Sequence, residues 1–182
     1  MTDFVPINAV DPAAVEALLD RAFGRDRHNR TAYRLRDGMD SIPELSFAAI
    51  EAGALVGTIQ CWPVALNGDD GSIHPLVLVG PVAVEPSRQR GGLGKELVHQ
   101  ALDAALELDL DGAMMLIGDP EYYGRFWGFS AAATGGWRLP GPVEAHRLLA
   151  RGPNVPAIAG ELGPRVSVGG RSLEVAARHR LP

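Results

Sequence analysis

Residues 85–95 bring together the two features that an anion site needs, an open backbone and positive charge. They read Glu85-Pro86-Ser87-Arg88-Gln89-Arg90-Gly91-Gly92-Leu93-Gly94-Lys95. Gly91, Gly92 and Gly94 let a ligand approach the backbone N–H groups with no Cβ in the way. Helical spacing begins at the last glycines, so the stretch ends at a helix N-terminus, with unpaired donors and a partial positive charge. Arg88, Arg90 and Lys95 add full charges. The expected ligand is a pyrophosphate. The nucleoside-triphosphate loop, G-x-x-x-x-G-K-[ST], is excluded: Gln89 stands where its first glycine belongs, and Glu96 follows Lys95. The dinucleotide pattern G-x-G-x-x-G matches at Gly92 and Gly94 but fails at Leu97. The pattern that does fit is Q-x-x-G-x-G, from Gln89 through Gly92 to Gly94.

Other reactive residue types form no pattern. His28, His74, His99, His146 and His179 are scattered, without the spacing of metal ligands, so no metal site is expected. Cys61 is the single cysteine and lies in an apolar run, where it reads as a small buried hydrophobe. No G-x-S-x-G nucleophile elbow occurs.

The elements that position the glycine-rich turn are legible from periodicity. Asp11-Pro12 is a helix start, Val15, Leu18, Leu19, Ala22 and Phe23 recur at helical spacing, and Gly24 stops the run. A second, shorter helix is expected over 29–36, with Arg30, Arg34 and Arg36 on a solvated face. Two β-rich runs, 47–50 and 55–59, flank Ala52-Gly53 as a hairpin whose second arm runs on to Leu66. Residues 67–71 are a loop. Residues 76–84 form another apolar strand, and Gly80-Pro81 inside it demands a bulge or kink. A helix over 92–108 turns Leu93, Leu97, Val98, Ala101, Leu102, Ala105 and Leu108 inward. Residues 113–117 are a short buried strand, which completes a βαβ unit with its two strands parallel. From Trp137 onward the pattern fades, apart from an expected hairpin built on 165–168 and 172–175.

Composition narrows the function. The chain has 182 residues, enough for one domain with a real core, and residues 1–182 read as that domain. A net charge of −5 lacks the overall field that nucleic-acid binding exploits. No apolar run is long enough to span a membrane. Met1-Thr2-Asp3-Phe4 does not open a secretory signal, so a cytoplasmic protein is expected. A homodimer is an open expectation.

Strand, turn and helix together resemble the acetyl-CoA pyrophosphate loop of the Gcn5-related N-acetyltransferase (GNAT) superfamily. Val84-Glu85-Pro86 matches the lead-in, and Leu93 sits between the last two glycines. Gly118-Asp119-Pro120-Glu121-Tyr122-Tyr123, running on to Gly128-Phe129, resembles the tyrosine-containing segment of that superfamily, and a subset with Gly-Asp-Pro-x-Tyr-Tyr in particular. Residues 137–142 and 147–150 are similar to that subset too. The resemblance covers most of the chain and is strongest over 79–149.

It implies an α/β protein with a mixed α+β sheet, the GNAT acyl-CoA N-acyltransferase fold. In that fold the central sheet splays between two parallel strands and is flanked by helices. Acetyl-CoA, the co-substrate, lies in the splay. The implied contacts are Gln89, Arg90, Gly91, Gly92, Leu93, Gly94 and Lys95 in the loop. Val82, Ala83 and Val84 follow on the first cleft strand, and Asp119, Tyr122 and Phe126 beyond the second. Tyr123 is the implied catalytic acid. One departure is visible: Tyr123 precedes Gly128 by five positions rather than the usual four, as though Trp127 were inserted. A bulge or π-turn would absorb it, and which of Tyr122 and Tyr123 faces the thioester stays open.

The implied reaction is attack of a neutral primary amine, on a small molecule or a protein, at the thioester carbonyl. A backbone N–H on the bulged strand stabilises the oxygen, and Tyr123 protonates the departing thiolate. Tyrosine titrates near 10 and a thiol near 8.5, so that transfer runs mildly uphill unless the site lowers the tyrosine. No base is named: residues 76–84 hold no ionisable side chain, and Glu44, Glu51, His28 and His74 read as surface residues. The amine pocket is expected from residues 25–44, 67–75 and the stretch after Gly135. The alternative is a module that holds acetyl-CoA as a signal without turnover.

Overall fold

Residues 1–166 are described by a computed structural model; the turn and second arm of the hairpin expected at 165–175 lie outside them. Asp11 caps the first helix, α1 (Pro12–Phe23), by accepting the Ala13 N–H at 2.9 Å, and Gly24 ends it. The hairpin is β2 (Phe47–Glu51) against β3 (Ala54–Gly68), with Ala52 and Gly53 both at positive φ in the turn. β3 then pairs along its length with β4 (Ile73–Val84). The glycine-rich turn leads into α3 (Leu93–Glu107), and β5 (Met114–Ile117) follows it. The expected inward face of α3 is buried except at Leu108, which is the C-cap and faces solvent.

The sheet order is β1 (Thr2–Pro6), β2, β3, β4, β5, β7 (Leu148–Arg151), antiparallel except where β4 meets β5. Two strands escaped the sequence pattern. β8 (Gly160–Pro164) pairs with the distal half of β3, and the two-residue β6 (Trp137–Arg138) pairs with β8. The expected helix over 29–36 is instead a 3-10 turn, Arg25–Asn29, and a single turn, α2 (Thr31–Arg34). Arg30 and Arg34 are exposed as expected, but Arg36 is buried. This segment is organised around arginines rather than an apolar stripe, which is why helical periodicity misjudged it.

The feature that matters for function is where β4 and β5 part. They pair only at Val77↔Met114 and Leu78↔Met115. Immediately afterwards Gly80 and Pro81, joined by a cis peptide, drop out of the β3–β4 ladder, whose register shifts between Ile59 and Cys61. The expected bulge is there because Pro81 has no N–H to donate. β5 ends two residues past its last partner on β4, while β4 continues with β3 to Val84. A cleft opens between them.

Both faces of this sheet are covered, which accounts for the nearly continuous apolar runs. Val77, Val79, Met114 and Leu116 pack under α3 with Leu97, Ala101 and Trp127. Their neighbours Leu76, Leu78 and Met115 point to the other face, against Leu35, Trp137 and Leu148. Each such leucine or valine contributes about 1.5–3 kcal/mol by leaving water. Among the described residues no helix is long and apolar enough to cross a membrane.

Candidate active site

The glycine-rich turn is held from both ends. Glu85 and Arg88 close a 3-10 turn (Arg88 N–H to Glu85 O, 2.7 Å), and the Gly91 N–H returns to Arg88 O at 3.1 Å. Gly92 caps α3 in the left-handed region, at φ 82°, and its carbonyl takes the N–H groups of Lys95 and Glu96. A glycine cap offers no side chain to the first-turn donors. Among the described residues no backbone carbonyl outside the helix takes the amides of Gly92, Leu93 or Gly94 either. These donors, and the missing Cβ of Gly94, form a cradle for an anion.

A cavity of about 450 Å³ lies over that cradle. Gln89, Arg90, Gly92, Gly94 and Lys95 border it, together with Val82 and Val84 of β4 and with Tyr122 and Tyr123. The other residues implied by resemblance sit around it. Leu93 is buried beneath the loop in the core, and Gly91 is exposed on the loop surface. Ala83 faces α1, packed with Val15, Leu18 and Leu19, so at most its backbone serves the cleft. Phe126 lies under the Lys95 ammonium, 3.6 Å from Nζ to the ring centre. Arg88 is drawn away to Glu51.

Asp119 has a structural task in the helix that carries the tyrosines. It caps α4 (Pro120–Trp127) by accepting the Glu121 N–H at 2.9 Å. That helix resolves the spacing of the tyrosines. The helix ends in a π-type turn, as the expected absorption of the extra residue allowed: Gly128 adopts φ 71°, its N–H is shared between Gly124 O and Tyr123 O, and the Phe129 N–H returns to Tyr123 O. The additional residue is taken up before a left-handed cap.

Tyr123 is the better placed of the two. Its ring packs so closely on Gly118 that a Cβ there would stand 2.5 Å from Cε2. Trp127 and Phe129 hold it from other sides, at ring separations of 5.6 and 6.3 Å. Tyr123 borders the loop cavity and the larger cleft alike, whereas Tyr122 borders only the first. Burial, with Tyr122 and Asp119 nearby, pushes Tyr123 up to about 12. The surroundings therefore raise the phenol rather than lower it, and it keeps its proton throughout the neutral range.

The larger cleft, about 860 Å³, opens at the splay. Leu78 through Val82 form one wall and Leu116 and Ile117 another; residues 27–36 and 142–147 close it. Two of the three expected segments are therefore present. The third, 67–75, is the remote tip of the β3–β4 hairpin, where Asp69 pairs with Arg138 at 2.5 Å and Ser72 bonds His74 at 2.8 Å.

Sequence reasoning missed two buried arginines here. Arg27 reaches back to Asp20 at 2.9 Å, and also bonds Glu16 and the Tyr33 hydroxyl. Burial lowers its pKa, but those hydrogen bonds more than offset it, and the guanidinium is held above its usual value. The signal was available: Glu16 and Asp20 lie four apart on one helix, two negative charges asking for a cation. Arg36 is only 7% exposed and is packed against the rings of Tyr33 and Trp62, 3.9 and 4.3 Å from its guanidinium carbon. Burial pushes it below its ordinary value. Among the described residues neither its Nη1 nor the Trp62 Nε1 has a partner. Such orphaned donors cost about 1–3 kcal/mol each.

Among the described residues Glu144 is the single acidic residue on the cleft, and it is exposed beside His146. The other acids and histidines considered are engaged elsewhere: Glu51 with Thr2 and Arg88, His74 with Ser72, His28 against Tyr33. Glu44 is exposed in a 3-10 turn, Pro43–Leu45. Among the described residues no cluster of His, Cys, Asp and Glu has the makings of a metal site.

Comparison with known proteins gives a consistent result. A sequence model described as the acetyltransferase (GNAT) family matches residues 13–129. The Escherichia coli (strain K12) protein named uncharacterized N-acetyltransferase YhbS is 32% identical over 145 residues, 76% of this chain and 83% of that protein. The crystal structure of the Escherichia coli GNAT family N-acetyltransferase YhbS in complex with CoA superposes with a TM-score of 0.66 at 26% identity, covering 90% of this chain and 88% of that one. A GNAT family acetyltransferase from Brucella melitensis, in complex with acetyl-CoA, shares the fold at a TM-score of 0.59 and 24% identity, over 90% of this chain and 95% of its own.

Proposed function

The chain belongs to the acetyltransferase (GNAT) family, and from that premise we propose that it transfers an acetyl group from acetyl-CoA to a primary amine of a small molecule or a protein. The observation that carries this reading is the meeting of two cavities. Phe23, Val82 and Tyr123 border both the cavity over the glycine loop and the large cleft at the splay. A co-substrate anchored at the loop and an acceptor lodged in the cleft would therefore approach each other beside Tyr123.

The loop fits the group it has to hold. The free amides of residues 92–94 and the side chains of Arg90 and Lys95 match a pyrophosphate, while Val82 and Val84 offer an apolar wall to the rest. Acetyl-CoA, when bound, supplies an acetyl group activated as a thioester. On the bulged strand Pro81 has no N–H and Gly80 bonds the buried Cys61 thiol, which leaves the Val82 N–H as the backbone donor where charge develops on oxygen. Tyr123, protonated at neutral pH, donates to the departing sulfur. With the phenol at about 12 and a thiol near 8.5, complete transfer ahead of bond breaking would run uphill by roughly 5 kcal/mol. Tyr123 therefore acts by a hydrogen bond that strengthens as the sulfur gains charge.

The acceptor must arrive as a neutral amine. Among the described residues Arg30, Arg36 and Arg147, none of them in an ion pair, line the cleft against Glu144, while Arg27 is balanced by Glu16 and Asp20. Neighbouring positive charge disfavours an ammonium, so the wall itself promotes the neutral form, and water in the open cleft carries the proton away. The test is release of free thiol from acetyl-CoA across a broad panel of amines. Turnover with at least one class is expected. A protein that acetyl-CoA protects against heating, yet that acetylates nothing in the panel, would instead be a module that holds the coenzyme without using it.

A further inference from the structure

The charges on the cleft are not equivalent. Arg27 is neutralised by Glu16 and Asp20. Arg30 donates to the Phe23 carbonyl at 3.0 Å, and Arg147 reaches the Gly118 carbonyl at 3.5 Å. Arg36 makes no ion pair among the described residues, although it is more than nine-tenths buried; Glu16, already held by Arg27, acts on it only through space. The rings of Tyr33 and Trp62 lie against its guanidinium, so bonding is left to the edge, and one edge nitrogen is an orphan. Arg36 borders the cleft; its guanidinium is a donor only, and what the orphan lacks is an acceptor with charge. A guanidinium that bonds through its edge selects a planar, two-oxygen anion.

We propose that the acceptor amine also carries a carboxylate, and that Arg36, on the wall of the cleft, is the group that recognises it. This rests on the acetyltransferase reading and narrows its substrate to amino carboxylates. Arg36 sets specificity; it takes no part in the bond changes. A single unpaired guanidinium suits a monoanion better than a phosphate dianion, and the cleft, at about 860 Å³, has room for a small molecule of this kind.

The experiment is calorimetric titration of the protein saturated with CoA, using matched pairs: phenylalanine and phenethylamine, ornithine and putrescine, with phosphoethanolamine as a third arm. The carboxylated member of at least one pair is expected to bind about tenfold tighter or more. Arg36→Met should bring the two members of that pair to within about twofold, while thermal protection by acetyl-CoA shows that the variant is folded. Arg36→Lys keeps the charge and removes the planar fork; it should weaken the carboxylate severalfold and leave the decarboxylated partner unchanged. The proposal is overturned if no carboxylate outbinds its partner, if the preference survives in Arg36→Met, or if phosphoethanolamine outbinds every amino carboxylate. Thiol release in the same samples keeps the two readings apart. Carboxylate-selective binding without turnover counts against transfer alone, and turnover that ignores the carboxylate counts against this proposal alone.

Discussion

The two cavities that meet at Tyr123 are built by opposite means. The floor of the smaller is made of backbone, a 3-10 turn, a glycine cap in the left-handed region and the first turn of α3, all within one short stretch of sequence, with side chains such as Val82, Val84 and Tyr122 only walling it. The larger is made of side chains from segments more than a hundred residues apart, Thr31 bonding Pro142 O at 2.9 Å and Arg34 bonding Pro140 O at 2.8 Å to hold them together. A backbone site needs glycines at set positions and so leaves a local mark in sequence. A side-chain site needs only that distant residues converge, and different residues can do so on the same fold. Under the proposed function the first cavity would take the shared co-substrate, and the second the acceptor.

The sharpest way to break this division is Gly94→Val. A Cβ at this position would stand 3.7 Å from Val84 and 3.9 Å from Val82, ordinary contacts, so the fold should survive while the side chain fills the cradle. Acetyl-CoA affinity should fall by at least about a hundredfold, read by titration, with thermal stability in the absence of ligand nearly unchanged. Tyr123→Phe addresses the junction. Its kcat should drop about a hundredfold, the low end for an acid whose pKa is poorly matched, while acetyl-CoA binding is retained. Equal losses in kcat and in acetyl-CoA affinity would place Tyr123 in the binding wall instead.

The same variant has a signature in alkali. In the unfolded chain this phenol ionises near 10; in the folded chain it holds its proton to about 12. Between those values the native state binds a proton that the unfolded state has lost, so stability falls as pH rises through the window, by about 2–3 kcal/mol in total. Cys61, whose thiol burial also pushes up to about 12, adds a similar slope from its own lower starting point. Denaturant titrations at stepped pH should show a shallower decline in Tyr123→Phe than in the wild type. A smaller effect is expected for Gly118→Ala, whose methyl would displace the Tyr123 ring. About a tenfold loss in kcat should accompany little change in acetyl-CoA affinity.

The legibility of the molecule follows the same line. α1, the hairpin at 52–53, α3 and the bulge at Gly80-Pro81 stood out because each is announced by caps, periodicity or turn residues within a short window. β8 did not: Gly160-Glu161-Leu162-Gly163-Pro164 has little strand character, and it becomes a strand only by pairing with β3, some hundred residues earlier. That pairing also explains why the 67–75 loop was misplaced at the acceptor pocket. β8 and Arg138 tie it to the opposite end of the sheet. Arg36 looked like surface because charge patterning assumes solvent; Tyr33 is three residues away, but nothing local announces the ring of Trp62 that also packs on the guanidinium.

The central claim is that one coenzyme spans from the α3 cradle to Tyr123. A crystal structure of the protein with acetyl-CoA tests it most directly. The account predicts the pyrophosphate within hydrogen-bonding reach of the amides of residues 92–94, and the thioester between Val82 and the Tyr123 hydroxyl. Density for the coenzyme anchored away from the cradle, or a thioester end pointing out of the splay, would contradict it.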